Sequence, residues 1–175
     1  GIRTFVSSFK SPKARVTAYK TVILGKLLTH CCSFALATRQ DALRVERVQK
    51  LLVRSLPDLR GLPYSEALDK AGLRPLWLSI LIRGLCLFNS LMNQADHFNP
   101  LNLIPRRGLR GGRRAQLPTP TSERAKRSFR FAFGSKWNRL PALLRESFLS
   151  APGGLQTLLG IPARIELELE TGFLL

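Results

Sequence analysis

Apolar residues in the first part of the chain recur at three- and four-residue intervals, the spacing of one face of a helix. This spacing predicts a helix from Lys13 to Ala37 and a second helix over residues 41–56. Asp41 is placed to cap or charge the start of the second helix, and Pro57 ends it because proline cannot continue a helix. The predicted buried stripe of that helix consists of Leu43, Val45, Val48, Leu52 and Leu56.

The opposite side of the 41–56 helix is basic. It carries four cationic residues, interrupted by one carboxylate at Glu46: Arg44, Arg47, Lys50 and Arg54. A helix with one apolar and one basic side is amphipathic. The basic side is interpreted either as a solvated surface or as a contact surface, and the pattern does not choose between them.

Two further helices follow. The first, over residues 64–72, has Ser65 placed to cap it and Gly72 placed to end it. Pro75 is placed to open the second, over 75–93, which is apolar nearly all round and is predicted to be the central core helix. Arg83 interrupts its apolar run, which falls short of the roughly 20 residues of a membrane span. No membrane span is predicted.

The pattern changes after residue 98. Residues 99–127 combine proline, glycine and arginine with scarcely any periodicity, which predicts a basic loop or linker. In SFRFAF, at 128–133, three phenylalanines alternate with other residues, which predicts a short strand with one aromatic face. Core packing of this face is preferred to base stacking. Pro141 is placed to open a terminal helix.

The predicted fold class is mainly α: a small helical domain, a basic loop, a short strand and a terminal helix. The segments are a helical core region over 1–98, the basic loop over 99–127, the strand and helix segment over 128–150, and an atypical tail over 151–175.

The charge of the chain indicates which class of partner it binds. The 175 residues carry a net charge of +17, and residues 97–145 hold twelve basic residues against one acidic residue. Such a surface predicts a polyanionic partner, with RNA or DNA backbone ahead of an anionic membrane surface or an acidic protein, and no small-molecule substrate. The predicted nucleic-acid-binding residues are Arg106, Arg107, Arg110, Arg113, Arg114, Arg124, Lys126, Arg127 and Arg130. A localisation signal is the alternative for the arginine-rich loop.

The cysteines and histidines do not predict a metal site. Cys31 and Cys32 are adjacent and Cys86 is distant, so neither a disulfide framework nor a C-x-x-C metal pair is present. His97 beside Asp96 is interpreted as a turn residue. These features favour an intracellular protein, nuclear or cytoplasmic, and the absence of methionine at Gly1 suggests a fragment or a trimmed chain.

Several short motifs, in order, resemble one family. They are AYKTVILGKLL at 18–28, RVERVQKLLVRSL at 44–56, LPYSEALDKAGLRPL at 62–76, Leu-Pro-x-Pro at 117–120, an Arg-x-Phe, and Trp-Asn-x-Leu-Pro at 137–141. Over about residues 14–150 the chain resembles the region that follows the catalytic domain in reverse transcriptases of non-LTR, jockey-like retrotransposons. Within the last motif, Trp137, Asn138, Leu140 and Pro141 are expected to be structural.

The resemblance implies the nucleic-acid-binding C-terminal part of an RNA-directed DNA polymerase, which holds template RNA and target DNA. The parent polymerase would use Mg²⁺, but this chain lacks the family's Asp-Asp catalytic turn, so no cofactor and no polymerase activity are expected of it alone. The family's Phe-Lys pair after residue 150 is also missing. The alternative function is a stand-alone basic nucleic-acid-binding protein; a membrane-surface or adaptor protein is a third.

Overall fold

The computed structural model describes residues 8–30, 39–93, 104–107, 113–117, 119–141 and 145. Over these residues the chain is mainly α-helical, which confirms the predicted fold class. The chain divides into two compact units, Gly1–Leu81 and Ile82–Leu175. The predicted segment boundaries stay predictions, and the tail 151–175 lies outside the described residues.

The first unit begins with a helical stretch in three parts. α1 is Pro12–Ala18, a π-helical segment follows at Tyr19–Leu24, and α2 is Gly25–Thr29. The helix predicted over Lys13–Ala37 is therefore present as far as Thr29, and residues 31–37 lie outside the described residues. Arg15 connects α1 to the end of the helix Arg39–Ser55, since its guanidinium donates to the carbonyl oxygen of Ser55 at 3.2 Å.

α3 is Arg39–Ser55 and forms the predicted amphipathic helix with a different buried face. Leu52 and Leu56 are buried as predicted, whereas Leu43 is 49% exposed. Glu46, which the sequence placed on the basic side, is 4% exposed. The prediction that Glu46 lies on the side opposite the buried stripe was wrong, because its carboxylate accepts hydrogen bonds from groups in the core, which are described below.

A 3₁₀ turn at Pro57–Leu59 leads to α4, Tyr64–Ala71. This helix begins at Tyr64, as predicted, but its N-cap residue is Pro63, so Ser65 lies inside the first turn and does not cap it. Gly72 ends it in the left-handed conformation with φ 59°, as predicted, because glycine adopts that conformation without strain. The core of this unit joins Tyr19 of the π segment to Leu52, Leu56 and Leu68.

α5, Leu76–Asn93, begins directly after Pro75 and supplies buried residues along its length. These include Leu78, Ile80, Leu81, Leu85 and Phe88. Among the described residues, no single helix has both the length and the apolar content to cross a membrane; α4 and α5 reach them only when taken together as a bent pair.

Part of the predicted basic loop is a two-stranded antiparallel sheet in the second unit. β1 is Ile104–Arg107 and β2 is Arg113–Gln116. A short helix, α6, follows at Glu123–Lys126. The prediction of a loop over 99–127 was wrong at these elements, and β2 and α6 both contact a later helix.

That helix is α7, Phe129–Arg139, and it replaces the strand predicted at 128–133. Phenylalanines at alternate positions also include a pair four residues apart, so Phe129 and Phe133 fit one helix face as well as one strand face. Trp137 continues the four-residue spacing, and Phe133 and Trp137 are both fully buried. The helix expected from Pro141 lies mostly outside the described residues.

Candidate nucleic-acid interface

The hairpin β1–β2 brings four of the predicted binding residues together. Its register places Arg106 opposite Arg114 and Arg107 opposite Arg113. Arg110 lies outside the described residues. The register therefore concentrates four positive charges in two short strands, and such a concentration of positive charge attracts a polyanion. No acidic residue lies between Asp96 and Glu123 to offset it.

Asn138 of α7 holds this hairpin by its side-chain amide. Its Oδ1 accepts from the backbone N–H of Ala115 at 2.8 Å, and its Nδ2 donates to the carbonyl oxygen of Ala115 at 2.8 Å. The side chain therefore pairs with both polar groups of one β2 residue, as a neighbouring strand would. Ala115 is buried, so without Asn138 these groups would be poorly satisfied. This contact fixes the basic hairpin to the helix.

Trp137, beside Asn138, packs into the aromatic core of the second unit. Its ring centroid lies 6.2 Å from that of Phe88, and the rings of Phe129 and Phe133 are 4.8 Å apart. The packing is close enough to require glycine at Gly84, where an added Cβ would lie 2.0 Å from Phe133 Cε1. A rigid aromatic layer therefore supports the helix that carries Asn138.

The end of α7 is closed by a buried cation. Leu140 is 4% exposed and Pro141 follows the last turn. The guanidinium of Arg145 donates to the carbonyl oxygens of Leu140 at 2.5 Å and Asn138 at 3.3 Å. A cation here satisfies carbonyls that have no partner within the helix. The Trp-Asn-x-Leu-Pro sequence thus combines a core anchor, a hairpin contact and a helix end.

The remaining predicted cations lie near the start of α7. Ser122 caps α6 by accepting from the amide of Ala125 at 3.1 Å. Arg124, Lys126 and Arg127 are exposed, whereas Arg130, in α7, is half-buried. Both α6 and β2 contact α7. The structure thus places the exposed cations of α6 and the arginines of the hairpin on two elements that adjoin one helix.

Glu123 supplies the one carboxylate of α6. Its Oε1 accepts a hydrogen bond from Lys126 Nζ at 2.5 Å. This bond and the positive charge of Lys126 lower the pKa of the Glu123 carboxyl. Because Lys126 already has an anionic partner, it is a weaker candidate for phosphate contact than Arg124, which has no ion pair among the described residues.

A buried polar network in the first unit was not predicted. Tyr19 Oη donates to Gln49 Oε1 at 3.0 Å, and Gln49 Nε2 donates to the carbonyl oxygen of Arg74 at 2.6 Å. Glu46 accepts from the hydroxyl of Tyr64 and, at 3.1 Å, from the amide of Trp77. The network joins α3 to the π segment, to α4 and to the start of α5.

The electrostatics of this network keep both tyrosines protonated. Burial, followed by the charge of Glu46, raises the pKa of Tyr19, and burial together with the hydrogen bond to Glu46 raises the pKa of Tyr64. A tyrosine hydroxyl is already protonated at neutral pH, and the raised pKa keeps these two hydroxyls as donors at alkaline pH as well, which is the state that Gln49 and Glu46 require. The arrangement satisfies buried polar groups and positions helices.

Neither metal nor thiol chemistry is favoured. Among the described residues, no group of three or more His, Cys, Asp or Glu side chains is arranged to hold a metal ion. Burial raises the pKa of the Cys86 thiol to about 11, against a smaller opposing effect of the Arg83 charge. A thiol with this pKa is protonated at neutral pH and is a poor nucleophile. Cys31 and Cys32 lie outside the described residues.

Sequence patterns missed the contact between Asn138 and the hairpin and the buried polar network of the first unit. A partial signal exists for the network, since Glu46 and Gln49 fall in phase with buried Val53 and Leu56 along α3. No comparable signal indicates that Asn138 bonds to Ala115. Comparison of the chain with protein families, with curated proteins and with solved structures finds no match.

Proposed function

We propose that the chain is the nucleic-acid-binding C-terminal part of a non-LTR retrotransposon RNA-directed DNA polymerase, where it holds template RNA and target DNA. The binding part of this proposal rests on the hairpin, whose register sets Arg106 opposite Arg114 and Arg107 opposite Arg113. Asn138 fixes the hairpin to α7, so its charge is presented on a positioned element. Arginine suits this role because its planar guanidinium contacts phosphate in a bidentate way.

The motifs behind the resemblance also support the proposal, because they form a coherent structure. Tyr19, Glu46, Gln49 and Tyr64 come from three separate motifs and share the polar network of the first unit. Leu68 and Leu73, from the third motif, are buried in the same core cluster as Tyr19. The three motifs therefore belong to one packed core, which is consistent with their acting as parts of a single domain.

The binding part is tested by changing Arg106, Arg107, Arg110, Arg113 and Arg114 together to alanine. If each residue neutralises one phosphate, the slope of log affinity against log salt for single-stranded RNA shrinks by roughly 3.5, at about 0.7 per contact. The same five positions changed to lysine form the control, which keeps the charge and therefore most of the slope. Fluorescence anisotropy over a salt series measures both variants.

If the salt slope is unaltered in the alanine variant, the hairpin does not contact phosphates, and the interpretation of the segment as a solvated surface or a localisation signal is favoured. The ancestry is tested separately, by the genomic sequence upstream of the codon for Gly1. An in-frame segment that encodes adjacent polymerase aspartates supports the retrotransposon origin. A stop codon directly upstream, with RNA binding intact, favours the stand-alone binding protein.

A further inference from the structure

A groove lies at the end of α3 in the first unit. The last turns of α3 and the connection to α4 enclose an open space with a cavity volume of about 500 Å³. Volumes of about 300–1,000 Å³ are typical of sites for small organic groups. Three cationic side chains line it, Lys50, Arg54 and Arg60. None of these three is among the residues assigned to the hairpin or to α6.

The two arginines of the groove are available for a ligand. Arg54 and Arg60 are exposed, and among the described residues neither guanidinium has a hydrogen bond or an ion pair. No carboxylate appears in the groove lining. Glu46, which accepts a hydrogen bond from the Tyr64 hydroxyl, is only 4% exposed, and the exposed Asp58, although next to Leu59 in the chain, is not part of the lining. The groove is therefore positive without an internal counter-ion.

One aromatic residue, Tyr64, also lines the groove. Tyr64 contributes its ring, and Lys50 Nζ lies 5.1 Å from the ring centroid. Through this cation–π contact Lys50 already interacts with the Tyr64 ring, whereas within the described part of the chain the two arginines of the groove have no such partner. Lys50 therefore shapes the groove, while Arg54 and Arg60 carry its unused charge.

The floor of the groove is apolar and its rim is open. Val53 and Leu59 are buried beneath it, whereas Leu62 is 38% exposed. Gly61 between them has φ 85°, and a Cβ added there would meet nothing within 4 Å. Glycine is therefore favoured at position 61 by its backbone conformation and not by a lack of space around it. An exposed leucine beside two unpaired guanidiniums suits a ligand with an apolar face and an anionic group.

We propose that this groove binds one nucleotide of a single-stranded nucleic acid, with the base against Leu62 and Tyr64 and the flanking phosphates on Arg54 and Arg60. Cationic grooves with apolar or aromatic platforms are the usual sites for single strands. The inference rests on the proposed function, because it assigns a second nucleic-acid contact within the first unit of the same chain.

The charge of the groove is tested with paired variants on one helix and its connection. Arg54→Ala with Arg60→Ala removes two groove cations, and Arg44→Ala with Arg47→Ala removes two exposed cations of α3 outside the groove lining. Binding of a single-stranded oligouridylate is measured over a salt series. The groove pair lowers the slope by about 1.4, at about 0.7 per phosphate, and the control pair leaves it unchanged. Equal reductions in the two pairs would overturn the proposal in favour of a uniformly basic surface.

The base contact is tested by a readout that does not depend on charge. Leu62→Ala weakens binding of the oligouridylate but leaves binding of an abasic strand of equal length unchanged. An oligonucleotide with 5-iodouridine cross-links to Tyr64 on irradiation, and Arg54→Ala with Arg60→Ala removes that cross-link. An Arg→Lys pair at the same positions restores it if the folded structure is intact.

These outcomes separate the two proposals. A salt slope that depends on the hairpin arginines but not on the groove arginines contradicts the groove alone. A slope that depends on the groove but not on the hairpin contradicts the hairpin assignment. A wild-type chain that binds no oligouridylate contradicts both.

Discussion

Removal of the Asn138 side chain isolates the contact between the hairpin and α7. Asn138→Ala deletes two hydrogen bonds of 2.8 Å and leaves the N–H and C=O of Ala115 without those partners. Ala115 is 5% exposed, so water replaces the amide poorly. Each intramolecular hydrogen bond contributes about 0.5–1.5 kcal/mol net, so the pair contributes about 2 kcal/mol. At about 2–4 °C per kcal/mol for a chain of this size, Tm falls by about 4–8 °C.

The assay combines thermal unfolding with hydrogen exchange at the amide of Ala115. We expect this amide to exchange faster in Asn138→Ala, because its acceptor is gone. Gln116→Ala is the matched control, since Gln116 is the next residue of β2 and its side chain is exposed. Asn138→Asp is a second comparison: it keeps an acceptor for the Ala115 N–H but sets an oxygen against the Ala115 carbonyl, so it also destabilises.

The same variant separates position from charge in nucleic-acid binding. Asn138→Ala retains every arginine, so any loss of RNA affinity reports the placement of the hairpin. Wild-type exchange at Ala115 together with a wild-type Tm in Asn138→Ala would refute the reasoning, since the two hydrogen bonds would then neither hold the hairpin nor stabilise the chain.

Two other predictions concern packing and thiol reactivity. Gly84→Ala destabilises the chain by about 1–2 kcal/mol, because overpacking against Phe133 Cε1, 2.0 Å from the new Cβ, exceeds the gain in helix propensity. Gly25→Ala stabilises the chain by about 0.5–1 kcal/mol, because the new Cβ meets only the Lys20 carbonyl oxygen, at 3.8 Å. Urea denaturation measures the free energy of unfolding of both variants, and equal values for the two would contradict this prediction. In a variant with the other two cysteines changed to serine, we expect Cys86 to react with a thiol reagent at pH 8 about 100-fold more slowly in the native than in the denatured protein. The reason is that burial raises the pKa of the Cys86 thiol to about 11 and thereby reduces its thiolate fraction. Similar reaction rates in the native and denatured protein would show that the thiol is not perturbed.

Helix periodicity predicts most of the first unit because its apolar stripes are long. α4 ends at Gly72 and α5 begins after Pro75, as glycine and proline indicate. The error on α3 has a physical cause, since the helix pattern places the charged Glu46 on the basic side, opposite the apolar stripe. Its burial depends on Tyr64 and the Trp77 amide, which are distant in sequence and whose positions a helix pattern does not report.

The second unit is less predictable because its elements depend on tertiary contacts. The phenylalanines of 128–133 satisfy two periods, and helical spacing prevails because Trp137 extends it into the aromatic core. The hairpin lies in a segment with weak strand propensity, and Asn138 completes its hydrogen bonding from another element. Composition predicts the charge of this segment, whereas its register becomes known only from the structure.

The hairpin also has consequences for self-association. In a two-stranded sheet each strand has one unpaired edge, which is a template for pairing with another molecule. In β2 the outward polar groups of Ala115 are occupied by Asn138, and in β1 the residue opposite Ala115 is Pro105, which has no N–H to donate. Both edges therefore lack a complete set of free polar groups near the middle of the hairpin, which disfavours edge-to-edge aggregation.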